Sequence, residues 1–165
     1  MNVKRLSIFF GFILLLFVAL FVINQSQTTV YGKPKSRLNP ATREILHDPN
    51  YRNILLPDEL DRKLAKKESF FVYYFASDCI HCRTTTPYVK PLADEMGIDL
   101  HLFNLREFPK YVNKMRIEAT PTLVYYKEGL EVDRIKGGIT TGGSEGHTLD
   151  DFRKFFETNR TEGDT

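Results

Sequence analysis

The spacing of apolar residues changes several times along this chain, and each change predicts an element. The first is an unbroken run. After Lys4 and Arg5, residues 6–23 read LSIFFGFILLLFVALFVI, eighteen positions without a charge. As a helix the run measures about 27 Å, close to the hydrocarbon thickness of a bilayer. It is apolar on every face, unlike a surface helix. A secretory signal would have a shorter apolar core and a small-residue cleavage site; here NQSQTT follows. Residues 1–23 therefore read as a signal anchor with a single transmembrane helix. Residues 24–44 are polar, contain Pro34 and Pro40 and show no apolar period, so they read as a tether. That leaves residues 45–162 for one domain with room for a single core.

Within the domain, helical and strand patterns alternate. PDELDRKLAKK (57–67) opens with proline and acids and closes with lysines, which suits the helix dipole. FFVYYFA (70–76) is a continuous aromatic and β-branched run, as in a strand covered on both faces. The pattern is helical from Cys79 to Met96 and ends at Gly97. IDLHLFNL (98–105) alternates as a strand, and FPKYVNKM (108–115) predicts a short helix. TLVYYK (122–127) and EVDRIKG (131–137) predict a β-hairpin turning through Glu128-Gly129-Leu130. TLDDFRKFFETN (148–159) has a threonine cap and one apolar helical face. The predicted order is β-α-β-α-β-α-β-β-α, an α/β fold with a central sheet covered by helices. TTGGSEGH (140–147) reads as a flexible connection, and Asn159-Arg160-Thr161 fits the N-glycosylation triplet.

Charge adds little. The net charge is +2, with basic residues scattered among acidic ones. No basic stripe points to nucleic acid. Lys4 and Arg5 favour a cytoplasmic N-terminus and an exported domain, with Lys33, Lys35 and Arg37 arguing the opposite way. The charges closest to the apolar run decide the expectation: a single-pass cell-membrane protein with its domain on the extracellular side.

The chemistry lies in FASDCIHCRTTTP (75–87), which holds both cysteines, Cys79 and Cys82. A disulfide across two intervening residues closes a small loop and removes little unfolded-state entropy, so it is a poor staple. As a metal site, Cys79, His81 and Cys82 lack the second matching pair that structural zinc uses. His47, His101 and His147 are isolated and read as surface residues. A redox pair explains more. At a helix start, free N–H groups and the dipole stabilise a Cys79 thiolate. Cys82, one turn on, can attack a mixed disulfide and release the partner. His81 can donate a hydrogen bond or positive charge to the thiolate, and Asp78 opposes it.

FVYYFASDCIHC with Pro87, followed by IEATPTLVYYKEG and a hairpin, resembles the active-site strand, C-x-x-C, kinked helix and cis-proline region of the thioredoxin family over residues 52–160. The resemblance implies the thioredoxin fold, a central mixed sheet flanked by helices. It also implies a cis-proline at Pro121, with Thr120 and Pro121 facing Cys79 and holding a substrate segment. Both redox electrons would reside on sulfur, so no cofactor is implied. The sequence departs from thioredoxin at three places. Tyr73 stands where thioredoxin has a buried aspartate six residues before the first active cysteine. Leu102 stands at the partner lysine, and Asp78 at the tryptophan. The C-x-H-C pattern resembles disulfide-forming enzymes. The overall plan is similar to membrane-anchored Bdb-type thiol–disulfide oxidoreductases of Gram-positive bacteria and to bacteriocin-export accessory proteins.

The expected function is extracytoplasmic thiol–disulfide exchange on exported cysteine-containing proteins, as oxidase or isomerase, recycled by a membrane redox partner. The alternatives are a thiol reductase, a non-catalytic adaptor in an export or assembly complex, and a metal carrier. Glu118, Tyr88, Phe108 and Tyr111 read first as surface or packing residues, with a second possible place near the site.

Overall fold

The structure, a computed structural model, describes residues 3–26, 28–140 and 146–160; of the first helix, side chains are described for residues 10–22. The chain divides into two compact units, residues 1–38 and 39–165. In the first, α1 spans Val3–Ser26, and apolar side chains such as Phe12, Leu15 and Phe21 are exposed on it. Among the described residues, no helix is long and apolar enough to cross a membrane. The 140–147 connection and the Asn159-Arg160-Thr161 triplet lie partly outside the described residues.

The second unit begins earlier than the apolar pattern indicated. Residues 39–44, read as the end of the tether, belong to it. Asn39 caps α2 (Pro40–Ile45) by accepting from the Ala41 N–H, and Thr42 and Ile45 are buried. A six-residue helix with two inward positions is too short to show a period. A 3₁₀ turn at Pro49–Tyr51 follows, then α3 (Pro57–Ala65). The remaining elements are β1 (Phe70–Phe75), α4 (Ile80–Glu95), β2 (Leu100–Asn104), α5 (Lys110–Lys114), β3 (Thr122–Lys127), β4 (Leu130–Lys136) and α6 (Leu149–Asn159). The expected first strand is reduced to a bridge at Ile54 on Leu102. Two backbone bonds, Leu55 N–H to Leu102 and Leu102 N–H to Asn53, are made before Pro57 starts α3.

The sheet order is β2-β1-β3-β4, with β1 parallel to β2 and the other pairs antiparallel. β1 is buried at all six positions, which is why its sequence does not alternate. Phe71, Tyr73 and Phe75 pack on one face with α4 and with Phe152, Phe155 and Phe156 of α6. Phe70, Val72 and Tyr74 pack on the other with Leu60 of α3 and with Phe103. The β3–β4 turn places Glu128 at φ 51° and Gly129 at φ 75°. Two successive positive φ values match a type I′ hairpin. A Cβ on Gly129 would sit 2.3 Å from the Leu64 carbonyl oxygen, so this turn also requires glycine for space. A Thr148–Asp151 capping box starts α6, at the threonine expected to cap it.

Candidate redox site

The carboxyl end of β1 delivers the chain into the turn Ala76–Asp78, closed by the Cys79 N–H donating to the Ala76 carbonyl at 3.0 Å. Cys79 is the N-cap of α4, with an extended backbone (φ −81°, ψ 120°). The first helical N–H groups therefore face its sulfur and not an intrahelical carbonyl. Both cysteines are free thiols; Cys79 is half-buried and Cys82 is fully buried.

This difference in burial separates the two thiols chemically. Cys79 is lowered from 9.0 to about 5, first by a hydrogen bond from the Cys82 thiol, acting against partial burial. The Thr120 side chain and the backbone N–H groups of Cys82 and His81 add to the lowering. Cys82 moves in the opposite direction. The neighbouring Cys79 raises it, burial raises it further, and the Ala76 backbone offsets little of this. At neutral pH the pair is one thiolate at the surface and one thiol behind it. A thiolate is the nucleophile in exchange, and its partner must stay close without competing for the incoming sulfur.

Thr120 and Pro121 meet the site from the other side. The bond between them is cis, and the Cys79 thiol lies 3.3 Å from the Thr120 carbonyl, to which it donates when protonated. Sequence separation is 41 residues, and β1–β3 pairing closes it, with Tyr74 opposite Thr122. The His81 side chain is exposed, and what it contributes to the Cys79 sulfur is its backbone N–H. The Asp78 carboxylate is paired with Arg106 at 3.1 Å, so part of its opposition to a thiolate is neutralised.

Two recesses flank the Cys79–Thr120 contact. One of about 370 Å³ is lined by Asp78, Arg106, Val112, Ile117, Glu118 and Thr120. Glu118 lines its rim, paired with Lys136 at 2.6 Å. The other, of about 420 Å³, is lined by His81, Thr120, Lys136, Gly138 and His147. Nothing along the chain pointed to His147 there. The signal is topological: His147 N–H bonds the Gly138 carbonyl and its Nε2 bonds the Lys136 carbonyl at 2.7 Å, folding the connection back onto β4.

Phe108 and Tyr111, half-buried, pack against Phe103, and Tyr88 is exposed, in line with their packing and surface readings. His101 is not a surface residue. It is 8% exposed on β2, and burial lowers its pKa despite Asp99 3.4 Å away. Among the described residues no group of three or more His, Cys, Asp or Glu is arranged to hold a metal ion.

Sequence reasoning missed the surroundings of Cys82. Thr86 Oγ1 donates to the Cys82 carbonyl at 2.7 Å and lies 3.3 Å from the Tyr73 hydroxyl. Tyr73 is buried, and burial followed by the proximity of Cys82 pushes its pKa far up, so it stays protonated. Tyr51 is raised for the same first reason, with Thr86 close enough to act on its hydroxyl. The hydroxyl groups of Thr86 and Tyr73 thus lie beside the turn of α4 that carries Cys82.

A polarised dithiol of this kind, carried on a four-stranded mixed sheet, defines a thiol–disulfide oxidoreductase fold. A family model described as Thioredoxin matches residues 53–144. The chain is similar to Putative thioredoxin H10 of Arabidopsis thaliana, 28% identical over 71% of this chain and 68% of that protein. It is also similar to a thioredoxin of Chlamydia pneumoniae, 34% identical over 40% of this chain and 66% of that one. It spans only 41% of the length of chloroplastic Thioredoxin Y1 of A. thaliana, covering 42% of this chain at 28% identity. Among solved structures, Fasciola hepatica thioredoxin superposes with a TM-score of 0.54 and 24% identity, over 66% of this chain and all of that one. Plasmodium falciparum thioredoxin gives 0.54 and 20% over the same shares. The chain belongs to the thioredoxin family.

Proposed function

We propose that this protein exchanges disulfides with exported cysteine-containing proteins from a membrane anchor, as a Bdb-type oxidase or isomerase. The observation that carries the exchange chemistry is the polarised pair, Cys79 near pKa 5 and half-buried, Cys82 raised and buried. Oxidation of a substrate proceeds in two steps. A substrate thiolate attacks Cys79 of the Cys79–Cys82 disulfide, and Cys82 leaves and takes up a proton. A second substrate thiolate then attacks the substrate sulfur of the mixed disulfide and expels Cys79 as thiolate. A low thiol pKa makes Cys79 the better leaving group and stabilises the reduced enzyme, which makes the disulfide more oxidising. The raised pKa of Cys82 acts against its departure and slows the first step; it is a protonated thiol at neutral pH with or without that shift, so the depressed Cys79 sets the potential. Thr120 and Pro121 would hold the substrate backbone, and a membrane redox partner would restore the disulfide.

The anchor and the extracellular placement rest on the uncharged run 6–23, with Lys4 and Arg5 before it. The helical backbone of α1 over Val3–Ser26 is consistent with them. Equilibrating the full chain with glutathione or dithiothreitol buffers tests the direction of exchange. A potential above about −200 mV is expected. A value near or below about −270 mV would make it a reductase. Without a reversible couple, exchange itself is lost and the adaptor replaces it.

A further inference from the structure

The family match begins at residue 53, yet the compact unit begins at Asn39. The stretch between them touches both sulfurs' surroundings through polar groups. Thr42 of α2 is fully buried, and its Oγ1 lies 2.8 Å from Ser77 Oγ. Ser77, 1% exposed, stands two residues before Cys79. Its carbonyl accepts from Arg83 Nε at 3.0 Å, and Arg83 is in turn paired with Glu44 of α2 at 2.7 Å. Asn104, at the end of β2, donates to Thr42 at 3.3 Å. The turn that presents Cys79 is therefore held from behind by α2 as well as by α4.

At the other end of the stretch stands Tyr51, 5% exposed, its ring centroid 5.1 Å from that of Phe75. Its hydroxyl meets Thr86, whose own hydroxyl bonds the Cys82 carbonyl. Packing alone would be served by apolar side chains at positions 42 and 51. The Thr42 hydroxyl, bonded to Ser77 35 residues away, does more than fill space, and Thr86 lies close enough to the Tyr51 hydroxyl to act on it.

We propose that Asn39–Tyr51 is a positioning segment for the dithiol, with Thr42 fixing the turn ahead of Cys79 and Tyr51 completing the hydroxyl cluster behind Cys82. Neither residue touches substrate. Each acts through another, Thr42 through Ser77 and Tyr51 through Thr86. The inference rests on the exchange reading above.

Thr42→Val and Tyr51→Phe in the full chain keep shape and remove one hydroxyl each. For Thr42→Val, the equilibrium constant against dithiothreitol is expected to move towards the disulfide by about threefold or more, because the reduced form loses its fixed thiolate support. For Tyr51→Phe, resolution of a glutathione mixed disulfide at Cys79 is expected to slow by a similar factor, about threefold. Ile45→Val, on the same segment and also buried, is the packing control and should change neither. If Thr42→Val does not fold, Ser77→Ala removes the same bond from its other side, and Thr42→Ser should behave as the wild type. Values for Thr42→Val and Tyr51→Phe equal to that of Ile45→Val would overturn the proposal, leaving the segment a packing element. A wild-type chain with no reversible couple would instead sink the exchange reading, so the two failures are distinct.

Discussion

Cys79 and Cys82 are the same residue one helical turn apart, and their surroundings differ in almost every respect. The outer region, around Cys79, is half-exposed and made of backbone N–H groups, the Thr120 carbonyl and a partly exposed Asp78–Arg106 pair. The inner region, around Cys82, is closed off by Tyr73, Tyr51, Thr86 and the aromatic core. The N-cap position leaves donors free to meet a negative sulfur outside, while burial disfavours a second charge inside. The first turn of one helix thus separates a nucleophile from its reserve, and the polarity of the pair comes from depth as much as from residue type.

The largest effect should come from removing either sulfur. Cys79→Ser is expected to abolish exchange, whereas Cys82→Ser should still attack and then accumulate a mixed disulfide at Cys79. Mass spectrometry of the trapped adduct checks both. An adduct on Cys82 in Cys79→Ser, at a rate near that of the wild type, would break the assignment of outer and inner roles.

The core behind Cys82 supplies the next effect. Phe156 is fully buried, its ring centroid 5.3 Å from that of Phe71. Phe156→Ala is expected to cost about 3–5 kcal/mol, read by denaturant unfolding. Alkylation of Cys79 at neutral pH should persist in the folded fraction, since its thiolate is supported by the helix start and not by α6.

The pH response separates the two thiols directly. Alkylation of Cys79 in the reduced protein should reach half its maximal rate near pH 5, while Cys82 stays unreactive until the chain unfolds. Cys79 is depressed in the fold from an ordinary 9.0, so its contribution to stability is fully present above pH 9 and is lost as pH falls towards 5. Cys82 has the opposite shift, and above pH 9 it reduces stability, because only the unfolded state readily gives up that proton. Reduced-state stability should therefore rise between pH 5 and 9 from this pair. Denaturant midpoints, compared with those of Cys79→Ser, test the sign.

The smallest effect should follow from Asp78→Asn. Its partner Arg106 and the solvent on both already weaken the carboxylate's field at Cys79, so the alkylation rate should change by less than about threefold. A larger acceleration would mean that the outer region is tuned by Asp78 after all.

Much of this arrangement was legible along the chain. The C-x-H-C pattern after a buried strand marked Cys79 and Cys82, and the continuous apolar run 70–76 and the Thr148 cap located β1 and α6. Thr120-Pro121 was legible by resemblance alone, because nothing local to those residues points at a sulfur 41 positions away. Tyr73, Tyr51 and Thr86 were not legible as neighbours of Cys82. Tyr73 sits in a run of aromatics that packing explains, and only strand pleating decides that it faces α4 and not α3. His101 was misjudged because a histidine in an alternating strand reads as outward-facing, while both faces of β2 are covered.

Local pattern by itself determined the elements from α3 onward, because helix and strand periods, caps and the hairpin turn are short-range properties of the chain. It also determined that two thiols stand at a helix start, where a thiolate is favoured. Tertiary structure alone decided which thiol is deep and which is reachable, since depth depends on what β3, α2 and the 3₁₀ turn place around that helix. It decided, too, that residues 39–51 pack behind the site: a hydrogen bond between the hydroxyl groups of Thr42 and Ser77, 35 positions apart, leaves no periodic trace in a sequence.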